Sequence, residues 1–387
     1  MRRENGCTKP QTGMRPRVPV PVLVGACLTL AVGTTVAEAR GTWSKVSGAG
    51  PKRESAAMAY DSARGVTVLF GGVDQQGKYD SSTFEFDGVS WQKIDVPGPS
   101  GRQESAMAYD SSREVVVLFG GRRGDNRRGD TWEWNGISWS LRATGGPSPR
   151  GGHAMAYDSD RGVTVLFGGD GQPGNDTWEW DGVSWIRAAA GGVPGRVGPA
   201  MIYDAERAVT VLFGGARGMG FLGDTWLWDG AQWLPQVVEG PPARTQAGFA
   251  FDEVAGVALL YGGDDIYGEG ESLRDMWQWD GAHWSEIVLS SDPGPRNEMG
   301  MVYDSQRQVT VLHSGLDEAG PPPFFFYKDT WEYDSTPVTS LVTCQNLTTA
   351  QTIQFSTTGS SWDCAAAGLK VSPGDLVQQA VRESRVD

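Results

Sequence analysis

Residues 150–185 read RGGHAMAYDSDRGVTVLFGGDGQPGNDTWEWDGVSW, and most of the chain is copies of this unit. Six copies align. Each opens on an arginine, at Arg53, Arg102, Arg150, Arg196, Arg244 and Arg296, with spacings of 49, 48, 46, 48 and 52 residues. An aspartate follows eight residues later (Asp61, Asp110, Asp158, Asp204, Asp252, Asp304). The second residue of a Gly-Gly pair follows nineteen residues after the arginine, from Gly72 to Gly263, and the sixth copy has Ser314-Gly315. Asp-Thr-Trp-x-Trp-Asp-Gly comes next, as at Asp176 to Gly182, and a tryptophan closes the unit at Trp91, Trp139, Trp185, Trp233 and Trp284. A repeat of nearly 50 residues with this texture signals a propeller.

Alternation within the unit gives four strands. Ala154 to Asp158 and Val163 to Gly169 are the first two, and Asp-Ser-x-Arg-Gly is a turn between them. Thr177-Trp-Glu-Trp180 places two indoles on one face, because strand side chains alternate. Ser184-Trp185-Ile-Arg opens the fourth. One blade cannot bury its own faces, whereas a closed ring of blades can. The sixth copy stops at Ser335-Thr336-Pro337 without a fourth strand, and Gly41-Thr42-Trp43-Ser44-Lys45-Val46 reads as a fourth strand without a blade. The expected fold is all-β: a six-bladed β-propeller of four-stranded blades over residues 40–336, the N-terminal strand closing the last blade. Residues 337–387 leave the repeat and read as a small β-type appendage. It holds Cys344 and Cys364, expected to pair as a disulfide in an oxidising compartment.

These residues resemble the kelch repeat, a propeller family marked by Gly-Gly after the second strand and a tryptophan in the fourth. The resemblance runs from Gly41 to Asp334. Departures are Ser314 for a glycine, Ser82 for the aspartate of copy one, and Phe84 and Phe86 for its two tryptophans. The resemblance implies a broad range of roles. Many kelch domains bind proteins or peptides, and some extracellular relatives act on sugars, galactose oxidase and a sialic-acid mutarotase among them. Copper chemistry of the galactose-oxidase kind needs a cysteine crosslinked to tyrosine, and the repeats hold no cysteine.

Composition narrows the classes. The chain has 387 residues, 54 glycines and 16 tryptophans, with 21% charged and 39% hydrophobic residues, as expected of many short strands and turns. The formal charge of −14 splits into +3 for residues 1–39 and −17 for the rest. Such an acidic body argues against nucleic acid as a partner. Met14-Arg-Pro-Arg17 followed by the apolar run Val18 to Ala37 and the triplet Ala37-Glu38-Ala39 reads as a signal peptide, residues 1–39, cut after Ala39. The mature protein is then expected to be secreted, periplasmic or at the cell surface, with no membrane span. Translation starts at Met1 or Met14.

Length variation falls between the second and third strands, in loops of 9, 8, 6, 8, 11 and 13 residues. Up-down topology puts these loops and the blade-to-blade connections on one face, the expected binding face. Its candidate binding residues are Phe324, Phe325, Phe326 and Tyr327 in loop six, Arg122 and Arg123 in loop two, and Tyr267 in loop five. Arg123-Gly124-Asp125 is a weak adhesive motif. Loop five is acidic (Asp264, Asp265, Glu269, Glu271), but its spacing fits no ordered calcium loop, so it reads as a solvated face. The six repeat arginines at the pore mouth read as structural, each pairing with an aspartate. His153, His283 and His313 lie in different blades and form no metal set. No catalytic residue, cofactor or metal is assigned. The expected function is a protein- or carbohydrate-binding module acting through the loop face. The alternatives are a sugar-active isomerase, lyase or oxidoreductase using the central pore, and a purely structural module.

Overall fold

The computed structural model describes residues 41–46, 50–265, 272–318 and 324–336, together with the backbone of strands Thr339–Asn346, Gln351–Thr357 and Val377–Ser384. Every regular element is a strand. Residues 1–40, Tyr267 and Cys364 lie outside the described residues, as does the side chain of Cys344, and with them the signal peptide and the disulfide.

Strand β1 (Thr42–Val46) belongs to the last blade. Blade one follows with β2 (Ala57–Asp61), β3 (Val66–Phe70), β4 (Thr83–Phe86) and β5 (Trp91–Ile94), hydrogen-bonded antiparallel in that order. Four more sheets repeat the pattern. In the sixth, β1 pairs with Thr330–Asp334, with Trp43 opposite Tyr333. The ring is a six-bladed propeller closed by its N-terminal strand. The innermost strands (Ala57–Asp61 and its five equivalents) touch one another all the way round. The three strands beyond Thr336 form a separate antiparallel sheet.

The second strands are buried without alternation, because both faces of each blade are covered by neighbours. The second strand is the heart of this packing: Val68, Leu69 and Phe70, and their counterparts in other blades, are essentially inaccessible. The aromatic that ends it packs on the closing tryptophan of the next blade. Phe70 meets Trp139 at 5.3 Å, Phe119 meets Trp185 at 5.2 Å and Tyr261 meets Trp43 at 5.5 Å. In the last blade His313 takes this place, 4.4 Å from Trp91. Burial pushes His313 down to about 4, so its ring is neutral. Its nitrogens are used by Thr330 Oγ1 at 2.9 Å and the Pro51 carbonyl at 3.0 Å.

Each repeat arginine is a strut within its own blade. Arg150 donates through Nη1 to the Gly168 carbonyl at 2.9 Å and to Asp176 Oδ1 at 2.9 Å, and through Nη2 to Asp176 Oδ2 at 3.1 Å. The guanidinium thereby ties the Gly-Gly corner to the start of the third strand, and the carboxylates so paired, Asp130, Asp176, Asp224 and Asp275, are held below their usual range despite burial. In blade one the aspartate is displaced rather than lost. Arg53 pairs with Asp80, two residues before Ser82, at 2.5 Å, and Ser82 caps the same carboxylate.

Candidate functional site at the channel mouth

The residue two places after each repeat arginine turns the chain from the loop face into the innermost strand. These six are Ser55, Glu104, Gly152, Gly198, Gln246 and Glu298, and all have left-handed backbone angles, φ between 52° and 64°. Each donates its N–H to the carbonyl of the equivalent residue in the preceding blade. The bonds run Glu104 to Ser55 (3.0 Å), Gly152 to Glu104 (3.0 Å), Gly198 to Gly152 (2.7 Å), Gln246 to Gly198 (2.9 Å), Glu298 to Gln246 (3.1 Å) and Ser55 to Glu298 (3.2 Å). A closed hoop of six backbone hydrogen bonds thus rims the channel. Four of its members are not glycine, and a left-handed conformation costs a side-chain-bearing residue about 1–2 kcal/mol. The hoop holds them there, and strain of this kind clusters at functional sites.

The hoop carries an asymmetric set of side chains. Glu104 is clamped by Arg122, whose Nε donates to Oε2 at 2.7 Å and Nη2 to Oε1 at 2.5 Å. Glu298 accepts from Ser55 Oγ at 2.5 Å on one oxygen and from Gln246 Nε2 on the other. Enclosure pushes the Glu298 carboxyl up to about 8, with the Ser55 hydrogen bond opposing and the Glu54, Glu104 and Glu318 charges adding to the rise. Glu54 is raised to about 7 by burial first, then by Glu318 and Glu104. Near neutral pH these two groups hold or share protons.

The hoop rims a cavity of about 420 Å³. Just inside it, three places after the arginine, stand Ala56, Ser105, His153, Pro199, Ala247 and Met299. Blades two and three are polar there and the others apolar. Ser105 and His153 are both more than nine-tenths buried, and the Ser105 hydroxyl and the His153 ring nitrogens are themselves inaccessible, the imidazole lying edge-to-face on Phe119 at 5.5 Å between ring centres. Burial, then the Arg150 charge, pushes His153 down to about 3, with the Phe119 backbone opposing. The imidazole is therefore neutral, with one N–H and one lone pair. The far end of the channel is different: a chamber of about 280 Å³ among methionines, alanines and tyrosines of the innermost strands, such as Met107, Ala108 and Tyr109.

The structure spreads the residues proposed from sequence. Arg122 stands at the channel mouth. Arg123 lies outward, its guanidinium 5.9 Å from the Tyr79 ring. The loop-six aromatics sit over the rim of the last blade. Phe325 is 62% exposed, Phe326 is buried, and Tyr327 lies half-buried with the Arg296 guanidinium 3.8 Å from its ring centre. None of the six repeat arginines lines the channel-mouth cavity. His283 is exposed on its turn. The described residues contain no group of three His, Cys, Asp or Glu arranged to hold a metal ion. Sequence reading set His153 aside with the other histidines and gave no role to Ser105, Glu104 and Glu298. The signal for these was the column two and three places after the arginine, where the copies differ inside an otherwise constant stretch.

No protein-family model matches the sequence, and no curated protein matches it. Among solved structures it is similar to one titled "Structure of YjhT". That likeness has a TM-score of 0.58 and 14% sequence identity, and covers 74% of this chain and 96% of the other. What the two share is the fold. At this identity the likeness carries the six-bladed propeller and nothing about ligand or reaction.

Proposed function

We propose that the protein is an exported propeller of the kelch type that binds a hydroxyl-rich ligand, a glycan, at the channel mouth of its loop face. The observation that carries this reading is the polar rim of the 420 Å³ channel-mouth cavity, which Ser55, Glu104, Arg122, Gln246 and Glu298 line together. A sugar hydroxyl both donates and accepts, which complements a rim of hydroxyl, carboxylate, guanidinium and amide groups. The volume falls in the usual range for small-ligand sites. Ala56, Ala247 and Met299 on the same wall offer an apolar surface for the carbon face of the ring. Export rests on the signal-like residues 1–39.

A glycan array probed with the wild-type protein and with Arg122→Ala/Gln246→Ala tests the proposal. It expects defined hits that weaken at least about tenfold in the variant, the worth of one or two good hydrogen bonds. A silent array, or hits indifferent to the variant, contradicts it. A second reading, acid–base chemistry on such a sugar, is favoured by Glu298 and Glu54, whose raised values put proton exchange near neutral pH. Conversion of a bound sugar that is lost in Glu298→Gln, with binding retained, would select it.

A further inference from the structure

We infer a second ligand site, for a small amphiphilic carboxylate, at the outer rim of the last blade. A cavity of about 570 Å³ lies there, floored by Phe325, Phe326 and Tyr327 and walled by Lys45, Lys52 and Lys328. It is separate from the channel mouth and shares none of its residues.

Two observations point to an anionic, partly apolar occupant. The first is an unusual concentration of charge. The whole sequence has seven lysines, five of them among the described residues, and three of those five surround this one cavity on a protein of net charge −14. Asp329 is the one carboxylate among the lining residues, and it is already engaged. It accepts from Arg296 at 3.1 Å, from the Trp331 indole at 3.0 Å and from Lys45 at 3.1 Å. Lys52 gives one proton to Gln75 Oε1 at 3.1 Å, and Lys328 is exposed. The cations therefore outnumber the carboxylate among the lining residues. The second observation is the floor. Phe325 stands exposed, fixed edge-to-face on Tyr327 at 4.8 Å between ring centres, and Tyr327 is braced from behind by Arg296. An exposed aromatic held rigid in a concave site covers an apolar group at little entropic cost. A flat aromatic or short alkyl group on this floor, with its carboxylate turned to Lys52 and Lys328, satisfies both features.

Calorimetric titration with 4-phenylbutyrate, 4-phenylbutanol and 4-phenylbutylamine tests the site. The expected result is one saturable equivalent of the acid, the alcohol weaker by about tenfold or more, as for loss of a charge-assisted hydrogen bond, and no binding of the amine. Lys52→Glu/Lys328→Glu should abolish the preference for acid over alcohol, and Phe325→Ala should weaken both. All three side chains are at the surface, so thermal midpoints should hold. Should the charge reversal disturb folding, Lys52→Gln/Lys328→Gln makes the same prediction. No saturable binding, equal binding of acid and alcohol, or unaltered affinity in the folded lysine variants overturns the inference.

Discussion

The indole N–H of Trp91 donates to Thr330 Oγ1 at 2.8 Å, joining the first complete blade to the last. The same bond, between 2.8 and 2.9 Å, links Trp139 to Thr83, Trp185 to Thr131, Trp233 to Thr177 and Trp284 to Thr225. The sixth seam is the exception. Its tryptophan is Trp43, Met276 stands where the threonine would be, and the Trp43 N–H has no hydrogen-bond partner among the described residues. Trp43 nevertheless remains 4% exposed and packed on Tyr261 and Tyr333. Its contribution is burial rather than hydrogen bonding. Trp43→Ala should cost about 3–5 kcal/mol in chemical denaturation. Thr330→Ala should cost about 1 kcal/mol.

A second seam interaction suggests a stabilising change. The first-face indoles of the third strands reach back to a glutamate: Trp134 to Glu85 at 3.0 Å, Trp180 to Glu133 at 3.2 Å and Trp228 to Glu179 at 3.1 Å. Each glutamate also takes its own blade's turn arginine, as Glu179 takes Arg161 at 2.6 Å. Blade four has Leu227 instead, and the buried Trp279 N–H has no hydrogen-bond partner among the described residues. Leu227→Glu should supply that acceptor beside Arg207 and raise stability by about 1 kcal/mol. A lowered denaturation midpoint would show that the position is chosen for its apolar packing.

The first turn of each blade needs one left-handed residue. Blades one, three and five use Gly65, Gly162 and Gly256, and blades two, four and six use Glu114, Ala208 and Gln308 at φ of 54°, 54° and 57°. Glycine relieves about 1–2 kcal/mol of steric cost there and gives back part of it as unfolded-chain entropy. Ala208→Gly should therefore stabilise by about 0.5–1 kcal/mol, read as a rise in thermal midpoint.

Stability should depend on pH through the hoop and the buried histidines. Glu298 holds its proton more tightly in the folded chain, at about 8 against an ordinary 4.5, so its penalty is absent in acid and grows as pH rises from 4.5 to 8. Glu54 acts in the same direction up to about 7. His153 and His313 act oppositely. Their values fall from 6.5 to about 3 and about 4, so folded stability drops as pH falls below 6.5. Glu298→Gln should flatten the alkaline side of a melting-temperature profile and His153→Phe the acid side. A Glu298→Gln profile that keeps the wild-type slope would contradict the placement of that carboxyl.

The propeller was legible in the sequence because its determinants recur: the arginine, the Gly-Gly pair and the tryptophans each do one local task six times. The completion of the last blade by Trp43 and its neighbours was legible from what copy six lacks. Asp80 was not, because its carboxylate reaches Arg53 from two residues away along a longer loop. The channel mouth was hidden for a different reason. Glu104, Ser105, His153 and Glu298 lie 48 or more residues apart in three blades, except where adjacent, and only ring closure brings them to one rim. The loop-six aromatics were visible as a run, yet alternation along Phe325–Phe326 buries one ring and exposes the next.

The central claim is that the polar rim of the channel mouth receives the hydroxyls of a sugar. A crystal structure of the protein soaked with its strongest array glycan measures this directly. The account predicts a sugar ring inside the hoop, with hydroxyls about 3 Å from side-chain nitrogens of Arg122 and Gln246. A glycan resolved elsewhere on the loop face, with the channel mouth free of it, would contradict the account.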